Sequence, residues 1–249
     1  MGGPILRDRL WFFGTARSFG NHTDNAGLYG NKNAGDPNLW TYAQDNGLKS
    51  RSANDKKVGA IRLTGQVTPR NKVGVYYDYQ SNCGGSTLAE DAEGCRQRGA
   101  DWVALGNFFG ISSPESGTMW DDREKIVQTT WSSPATSRLL LEAGYSTFIS
   151  RWGGQDPGGA LSNFIPVTEQ LANASTGVPF ANFTYRGLDN RFGNDQMANV
   201  WRASASYVTG SHSLKFGTQG AYHIHYNFNF TGTNQLRYTF ANQIPNAFS

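Results

Sequence analysis

The strongest constraint on the fold of this 249-residue chain is a two-residue alternation of apolar and polar side chains that recurs in paired segments. In the last pair, the apolar and polar side chains fall on opposite parities. The apolar set is Leu214, Phe216, Tyr222, Ile224, Tyr226, Phe228 and Phe230, and the polar set is Lys215, Gln219, His223, His225, Asn227 and Asn229. Because successive side chains of a strand point to opposite faces, this pattern predicts strands with one apolar, aromatic face and one polar face.

The connections between these segments are short on one side and long on the other. Turn-forming residues occupy Pro69–Asn71, Pro134–Thr136 and Gly210–His212, whereas the remaining connections are long and polar. A soluble β-sandwich shows the same alternation along its strands, so the period alone does not separate it from a membrane protein. The alternation of tight turns with long loops is typical of transmembrane β-barrels, and this asymmetry favours a barrel.

The predicted fold class is therefore all-β, an antiparallel up-and-down meander that forms part of a transmembrane β-barrel. The predicted strands lie near 10–17, 57–68, 72–80, 124–132, 138–149, 199–208, 213–230 and 236–240, with long extracellular loops near 19–55, 81–122 and 153–196. Most of these strands are long enough to cross the hydrocarbon core of a tilted barrel, which takes about 9–11 residues.

Composition excludes several other classes of protein. The sequence contains no stretch of about 20 apolar residues, which a membrane-spanning helix requires. The net charge is only +3 and there is no basic block, so nucleic acid is not an expected partner. The first residues lack the charged and apolar regions of a secretory signal. We therefore expect either a cytoplasmic protein or a fragment of a longer, exported one.

The opening residues resemble a known family of membrane proteins. Gly2-Gly3-Pro4-Ile5, followed by Arg9-Leu10-Trp11-Phe12-Phe13-Gly14, is similar to a segment of the Oar-like group of TonB-dependent outer-membrane transporters, in which a Gly-Gly-Pro turn precedes an aromatic strand. The closing segment 236–246 also resembles part of that group's barrel, although this second motif is weak alone.

The resemblance implies that the chain is a fragment of a larger bacterial outer-membrane transporter. Barrels of this class have about 22 strands around a plug, of which about eight are predicted here. The sequence contains no segment resembling the plug or the TonB box. The implied function is active uptake of a large, scarce solute such as a siderophore, carbohydrate or peptide. The implied partners are outer-membrane lipid, the unknown solute and, through the missing N-terminal plug, the TonB energy-transducing complex.

Cys83 and Cys95 are the only cysteines, and both fall within the second predicted loop. A disulfide between them would close a loop of about a dozen residues and stabilise the fold by roughly 3 kcal/mol. The alternative is a pair of free thiols in a reducing compartment. A zinc site would need further ligands at motif spacing, and the sequence has none nearby.

Other polar residues have simpler explanations than catalysis. His223 and His225 share a strand face without a nearby third ligand, so we expect no metal site there. Glu142 and Asp78 each lie alone on the polar face, which Arg62, Lys72, Arg202 and Lys215 also occupy; this pattern predicts inward salt bridges. The sequence lacks a nucleophile elbow, a phosphate loop and a dinucleotide fingerprint, so we expect no enzyme and no cofactor.

Two alternatives to a TonB-dependent transporter stay open at this stage. A passive, porin-like barrel would need no plug. A soluble secreted β-sandwich that binds a ligand would bury its apolar face against a second sheet, and loops of about forty residues would then be unusual.

Overall fold

A computed structural model of the chain describes residues 1–85, 111–117, 119–155, 163–188, 191–230 and 236–249. Within these ranges the chain forms thirteen β-strands and one short 3-10 turn, Pro114–Ser116. The strands are β1 (Gly2–Leu6), β2 (Leu10–Asn31), β3 (Gln44–Thr68), β4 (Asn71–Gly85), β5 (Ile111–Ser112), β6 (Met119–Pro134), β7 (Leu139–Gln155), β8 (Val167–Glu169), β9 (Phe183–Tyr185), β10 (Arg191–Thr209), β11 (His212–Phe230), β12 (Tyr238–Ala241) and β13 (Ile244–Phe248). None of the described residues belongs to a helix long and apolar enough to cross a membrane.

Eight long strands form one sheet, which we call the wall sheet. Its order is β1-β2-β3-β4-β6-β7-β10-β11, and every neighbouring pair is antiparallel. The strands therefore follow one another as a meander, interrupted only where short strands of a second sheet intervene in the sequence. The predicted fold class, all-β and antiparallel, is confirmed.

The register of the wall sheet gathers the alternating side chains onto two distinct faces. Ile61 lies opposite Tyr77, which lies opposite Val127, so apolar positions of three strands align. This apolar face is largely uncovered by the described chain: Phe216 is 68% exposed and Ile224 is 43% exposed. The other face, the polar face, carries the predicted charged and amide side chains. A soluble sandwich would bury the apolar face, and here the described residues leave it open.

All tight turns of the wall sheet lie at the same end. The turns at 69–70, 135–138 and 210–211 were predicted, and a fourth at 7–9 joins β1 to β2. Thr68 Oγ1 accepts a hydrogen bond from the backbone N–H of Asn71, and Thr136 Oγ1 accepts one from that of Leu139. Gly210 has a φ of 55°, a conformation that suits a two-residue hairpin turn. The long connections all leave from the opposite end, which we call the loop end.

The wall strands extend much further toward the loop end than the sequence predicted. The segment near 19–55 was interpreted as a loop, but β2 runs to Asn31 and β3 begins at Gln44, leaving only 32–43 between them. The segment lacks a sustained apolar period, but the backbone register pairs β2 with β3 through much of it, and buried Leu28 and the hydrogen bond from Asn25 Nδ2 to Ser50 Oγ add side-chain contacts. Parts of the other predicted loops, 81–122 and 153–196, are strand as well, and much of the rest lies outside the described residues.

The two ends of the predicted meander also differ from expectation. Gly2-Gly3-Pro4 was interpreted as a turn but belongs to β1, where Pro4 is tolerated because β1 is an edge strand. The segment near 236–240 was predicted as the eighth wall strand. It instead forms β12 of a second sheet, because its aromatic side chains pack into the core of that sheet. The wall sheet still has eight strands, because β1, which was not predicted as a strand, is one of them.

The second sheet, which we call the loop sheet, assembles from segments that leave the loop end of the wall. Its five strands have the order β13-β12-β8-β9-β5, and two of the pairings are parallel. Its core consists of Leu28, Tyr42, Val167, Val178, Phe183, Tyr185 and Phe240, with Trp40 and Tyr238 packed against it. The hydrophobic cluster of the described chain therefore lies in the loop sheet and the adjoining end of β2, not on the apolar face of the wall.

Candidate functional site

The polar face of the wall sheet forms two adjacent recesses near the tight turns. Arg62, Thr64 and Lys72 line the first, and Lys215 and Gln219 line the second. Glu142 and Arg202 line both recesses and form the ridge between them. These residues come from five different strands, and the antiparallel register brings them to four adjacent cross-strand rows of the polar face. Four of the seven are cationic and one is anionic, so this part of the face favours anionic or hydrogen-bond-accepting groups.

The ridge depends on small residues beneath it. A side chain at Gly144 would meet Arg202 Nε at 3.2 Å, so the absence of a Cβ lets the guanidinium lie across β7. Glu142 Oε2 lies 3.4 Å from Lys215 Nζ and accepts a hydrogen bond from Ser204 Oγ at 3.3 Å. The sequence predicted inward salt bridges on this face, and Glu142–Lys215 is one of them.

Further toward the loop end, the polar face becomes rich in amide and aromatic donors. Asp78 accepts hydrogen bonds from Tyr76 Oη and Gln80 Nε2, each at 3.0 Å. The rings of His223 and His225 stack with their centroids 6.1 Å apart. The described residues contain no group of three or more His, Cys, Asp or Glu side chains placed to hold a metal ion. This level of the face offers hydrogen-bonding groups of several kinds, among them the carboxylate of Asp78 and the imidazoles of His223 and His225.

One buried arginine, which the sequence did not single out, joins separate connecting segments at the loop end. Arg186 is only 3% exposed, and its guanidinium donates hydrogen bonds to three backbone carbonyls, those of Pro37, Leu39 and Ile165. The guanidinium also lies 3.6 Å from the centroid of the Trp40 ring, a cation–π contact. Arg186 thereby ties the connection between β2 and β3 to the segment between β7 and β10.

Two carboxylates, Glu115 and Glu169, are buried at the loop end. Glu115 Oε1 accepts a hydrogen bond from the backbone N–H of Arg186 at 3.3 Å, and burial raises the pKa of the Glu115 carboxyl. Glu169 Oε2 accepts one from the backbone N–H of Gln243 at 3.0 Å. Burial also raises the pKa of the Tyr42 and Tyr185 hydroxyls. The bond of Glu115 joins the 3-10 turn to the end of β9, and the bond of Glu169 joins β8 to the turn between β12 and β13.

The predicted disulfide lies partly outside the described residues. Cys83 is near the end of β4, where the register places it opposite Asp55 and Asp121. Cys95 belongs to the range 86–110, outside the described residues, so its pairing with Cys83 stays a prediction.

No protein-family model matches this chain, and no curated protein matches it in sequence. A solved structure does match its fold over the whole length: the crystal structure of the outer membrane transporter YddB from Escherichia coli. The match has a TM-score of 0.58 and a sequence identity of 9%, and it covers 100% of this chain and 28% of that one. The chain has the fold of part of an outer-membrane transporter. At this identity the likeness concerns the fold alone.

The match accounts for the open geometry of the wall sheet. A sheet that continued into further strands at both edges would curve around the polar face and expose the apolar face to lipid. The described strands do not themselves close into a barrel, because β1 and β11 are the two edges of the sheet. The chain spans about a quarter of the length of the transporter that it matches, 28%.

Proposed function

We propose that this chain is part of a TonB-dependent transporter of the bacterial outer membrane, and that the complete protein actively takes up a large, scarce solute. The strongest support for this proposal is that the wall sheet combines two features. The whole chain superimposes on an outer-membrane transporter, and the same sheet exposes an apolar face while its opposite face is polar. The resemblance of residues 2–14 to the Oar-like group supports the choice of a TonB-dependent class.

In this proposal each part of the chain has a separate role. The apolar face contacts membrane lipid, and the polar face with Glu142 and Arg202 lines the interior through which the solute passes. The loop sheet lies outside the cell, where its exposed residues first meet the solute. A siderophore, a carbohydrate or a peptide would each find hydrogen-bonding groups on the polar face. Coupling to the TonB complex belongs to a plug elsewhere in the complete protein, and the chain itself performs no enzymatic step.

Conductance and uptake measurements on the full-length protein test this function. The protein is expressed in the outer membrane of a Gram-negative host, and candidate solutes are presented at limiting concentration. We expect uptake that stops when TonB is deleted or when a protonophore removes the proton gradient. In planar bilayers the purified protein should show no steady open-pore current, because a plug fills the barrel.

The alternatives predict different results in the same experiments. A steady ohmic conductance, with uptake that is indifferent to TonB, would identify a passive porin and contradict the proposal. Recovery of the protein in the soluble fraction without detergent would instead identify a soluble β-protein. The porin-like alternative is consistent with the same wall sheet, so the conductance measurement decides between the two membrane proteins.

A further inference from the structure

On β3, β6, β7 and β10 the apolar face of the wall sheet gives way to charged side chains toward the loop end, whereas the edge strand β11 stays aromatic on this face. On β7 the apolar Ile149 is followed, at the next position of the same face, by Arg151, and on β10 Met197 is followed by Asp195. On β6 the charged Lys125 lies directly opposite Ile149. The border between apolar and charged side chains therefore crosses several strands at nearly the same level.

Two adjacent cross-strand rows define this border. The first row is Gly59, Tyr79, Lys125, Ile149, Met197 and Ile224, and the second is Lys57, Ser81, Arg123, Arg151, Asp195 and Tyr226. The cations of the two rows, Lys57, Arg123, Lys125 and Arg151, are all exposed, and we call them the cation border. Asp195 is the only carboxylate of these two rows, and it lies 3.8 Å from Arg151. The register places Asp55 and Asp121 at the next row beyond.

The border lies at the level of lipid headgroups if the apolar face spans the membrane. From the row of Leu139, Tyr207 and Leu214 near the tight turns to the row of Ile149, the face runs about 11 residues along β7. At about 3.3 Å per residue and a tilt of about 45°, this length crosses about 25 Å, the height of the apolar band of an outer-membrane barrel. The cation border is then just outside the hydrocarbon, whereas the row near the tight turns carries no charge.

The arrangement of the side chains also suits the headgroup region. Lys125 Nζ lies 5.9 Å from the centroid of the ring of Tyr79, the residue directly opposite it on β4, so the ammonium lies beside an aromatic ring at the edge of the apolar face. Within the apolar band, the polar Asn199 accepts a hydrogen bond from Tyr145 Oη at 2.6 Å, as expected where lipid offers no partner. Guanidinium and ammonium groups together bind phosphate oxygens through charge-assisted hydrogen bonds.

We propose that the cation border is a binding site for the phosphate-bearing headgroups of anionic lipid in the leaflet nearest the loop end. This inference rests on the proposed membrane function, since it needs the apolar face to lie in lipid. The site selects for the phosphate of a lipid and not for a free anion, because the acyl chains of the lipid cover the adjoining apolar band. The bound headgroups fix the depth of the wall sheet in the membrane.

The test compares two variants of the full-length protein that remove the same charges from opposite faces. The border variant combines Lys57→Gln, Arg123→Gln and Lys125→Gln, and the matched control combines Lys72→Gln, Arg202→Gln and Lys215→Gln on the polar face. Purified protein in neutral detergent is titrated with fluorescent dioleoyl phosphatidic acid, with phosphatidylcholine as the zwitterionic comparison. We expect the border variant to bind phosphatidic acid at least about tenfold more weakly, because each cation near an anionic lipid adds to the attraction. The control should bind like the wild type.

Several results would overturn the inference. The first two are an affinity for phosphatidic acid that is equal in the border variant and the wild type, and an equal loss of that affinity in the control variant. The other two are full displacement of the lipid by millimolar inorganic phosphate, and binding of the lipid that EDTA abolishes because it depends entirely on divalent ions. Membrane fractionation of the wild type is performed first. Absence from the membrane would refute the proposed function, whereas a membrane protein whose lipid affinity ignores the border variant would refute this inference alone.

Discussion

Arginine substitutions on the apolar face of the wall sheet are expected to destabilise the full-length barrel strongly. Ala143→Arg and Ala203→Arg should each cost about 2–4 kcal/mol, the range for a cation near the bilayer midplane of a barrel. Both residues lie on the apolar face, directly opposite each other on β7 and β10 near the middle of the apolar band, and no carboxylate lies opposite either of them. Equilibrium unfolding in lipid vesicles measures the change.

The control for this prediction is an arginine at the opposite parity of the same strand. Ser146 faces the polar side, opposite Gln128 and Val200, so Ser146→Arg should change the stability by well under half as much. Gln219 also lies on the polar face, but the register places it opposite Arg202, and a second cation there adds repulsion. Ser146 is therefore the cleaner position. Equal damage from Ala143→Arg and Ser146→Arg would mean that protein covers both faces, as in a sandwich.

Removal of the Arg186 guanidinium is expected to release the loop sheet from its present arrangement. In Arg186→Met, the carbonyls of Pro37, Leu39 and Ile165 lose their donor, and unsatisfied buried acceptors cost about 1–3 kcal/mol each. We expect a loss of at least about 3 kcal/mol of local stability. Hydrogen exchange should accelerate in β8 and β9, while the wall strands keep their protection.

Two further variants sharpen this second prediction. Arg186→Lys should also fail, because an ammonium cannot reproduce the planar fork that bonds three carbonyls. Arg70→Met is the matched control: Arg70 donates to the carbonyl of Ala135 in an exposed turn at the opposite end of the wall. If exchange in β8 and β9 were the same in Arg186→Met as in the wild type, Arg186 would not hold the loop sheet together.

The sequence predicted the wall sheet well where the two faces of its strands differ in polarity. Apolar and polar side chains alternate along β11, so a period of two identifies both the strand and its faces. In the segment Phe19–Asp55 the sequence of β2 and β3 shows no sustained alternation, so their backbone pairing could not be predicted from it. The edge strand β1 was missed because Gly-Gly-Pro favours turns locally, whereas an edge position tolerates proline.

Some residues of the candidate sites could be predicted from the sequence and others could not. The cations of the polar face were identified from the sequence because parity alone places Arg202 and Lys215 together. Arg186 carried no local signal, since the carbonyls that it binds at Pro37 and Leu39 are 149 and 147 residues away. The loop sheet likewise depends on pairings between short, separate segments such as β8 and β12. Contacts over such separations follow from the assembled wall and not from any periodic pattern.

The central claim is that the apolar face spans a membrane with the tight turns inside and the loop sheet outside. An epitope tag inserted after Ala174, in the exposed turn between β8 and β9, tests this orientation together with a tag after Asn71 in a tight turn. Antibody binding is measured on intact cells that express the full-length protein, and again after the outer membrane is permeabilised. We predict labelling of the Ala174 tag on intact cells, and labelling of the Asn71 tag only after permeabilisation. Labelling of the Asn71 tag on intact cells, with the Ala174 tag hidden, would contradict the account.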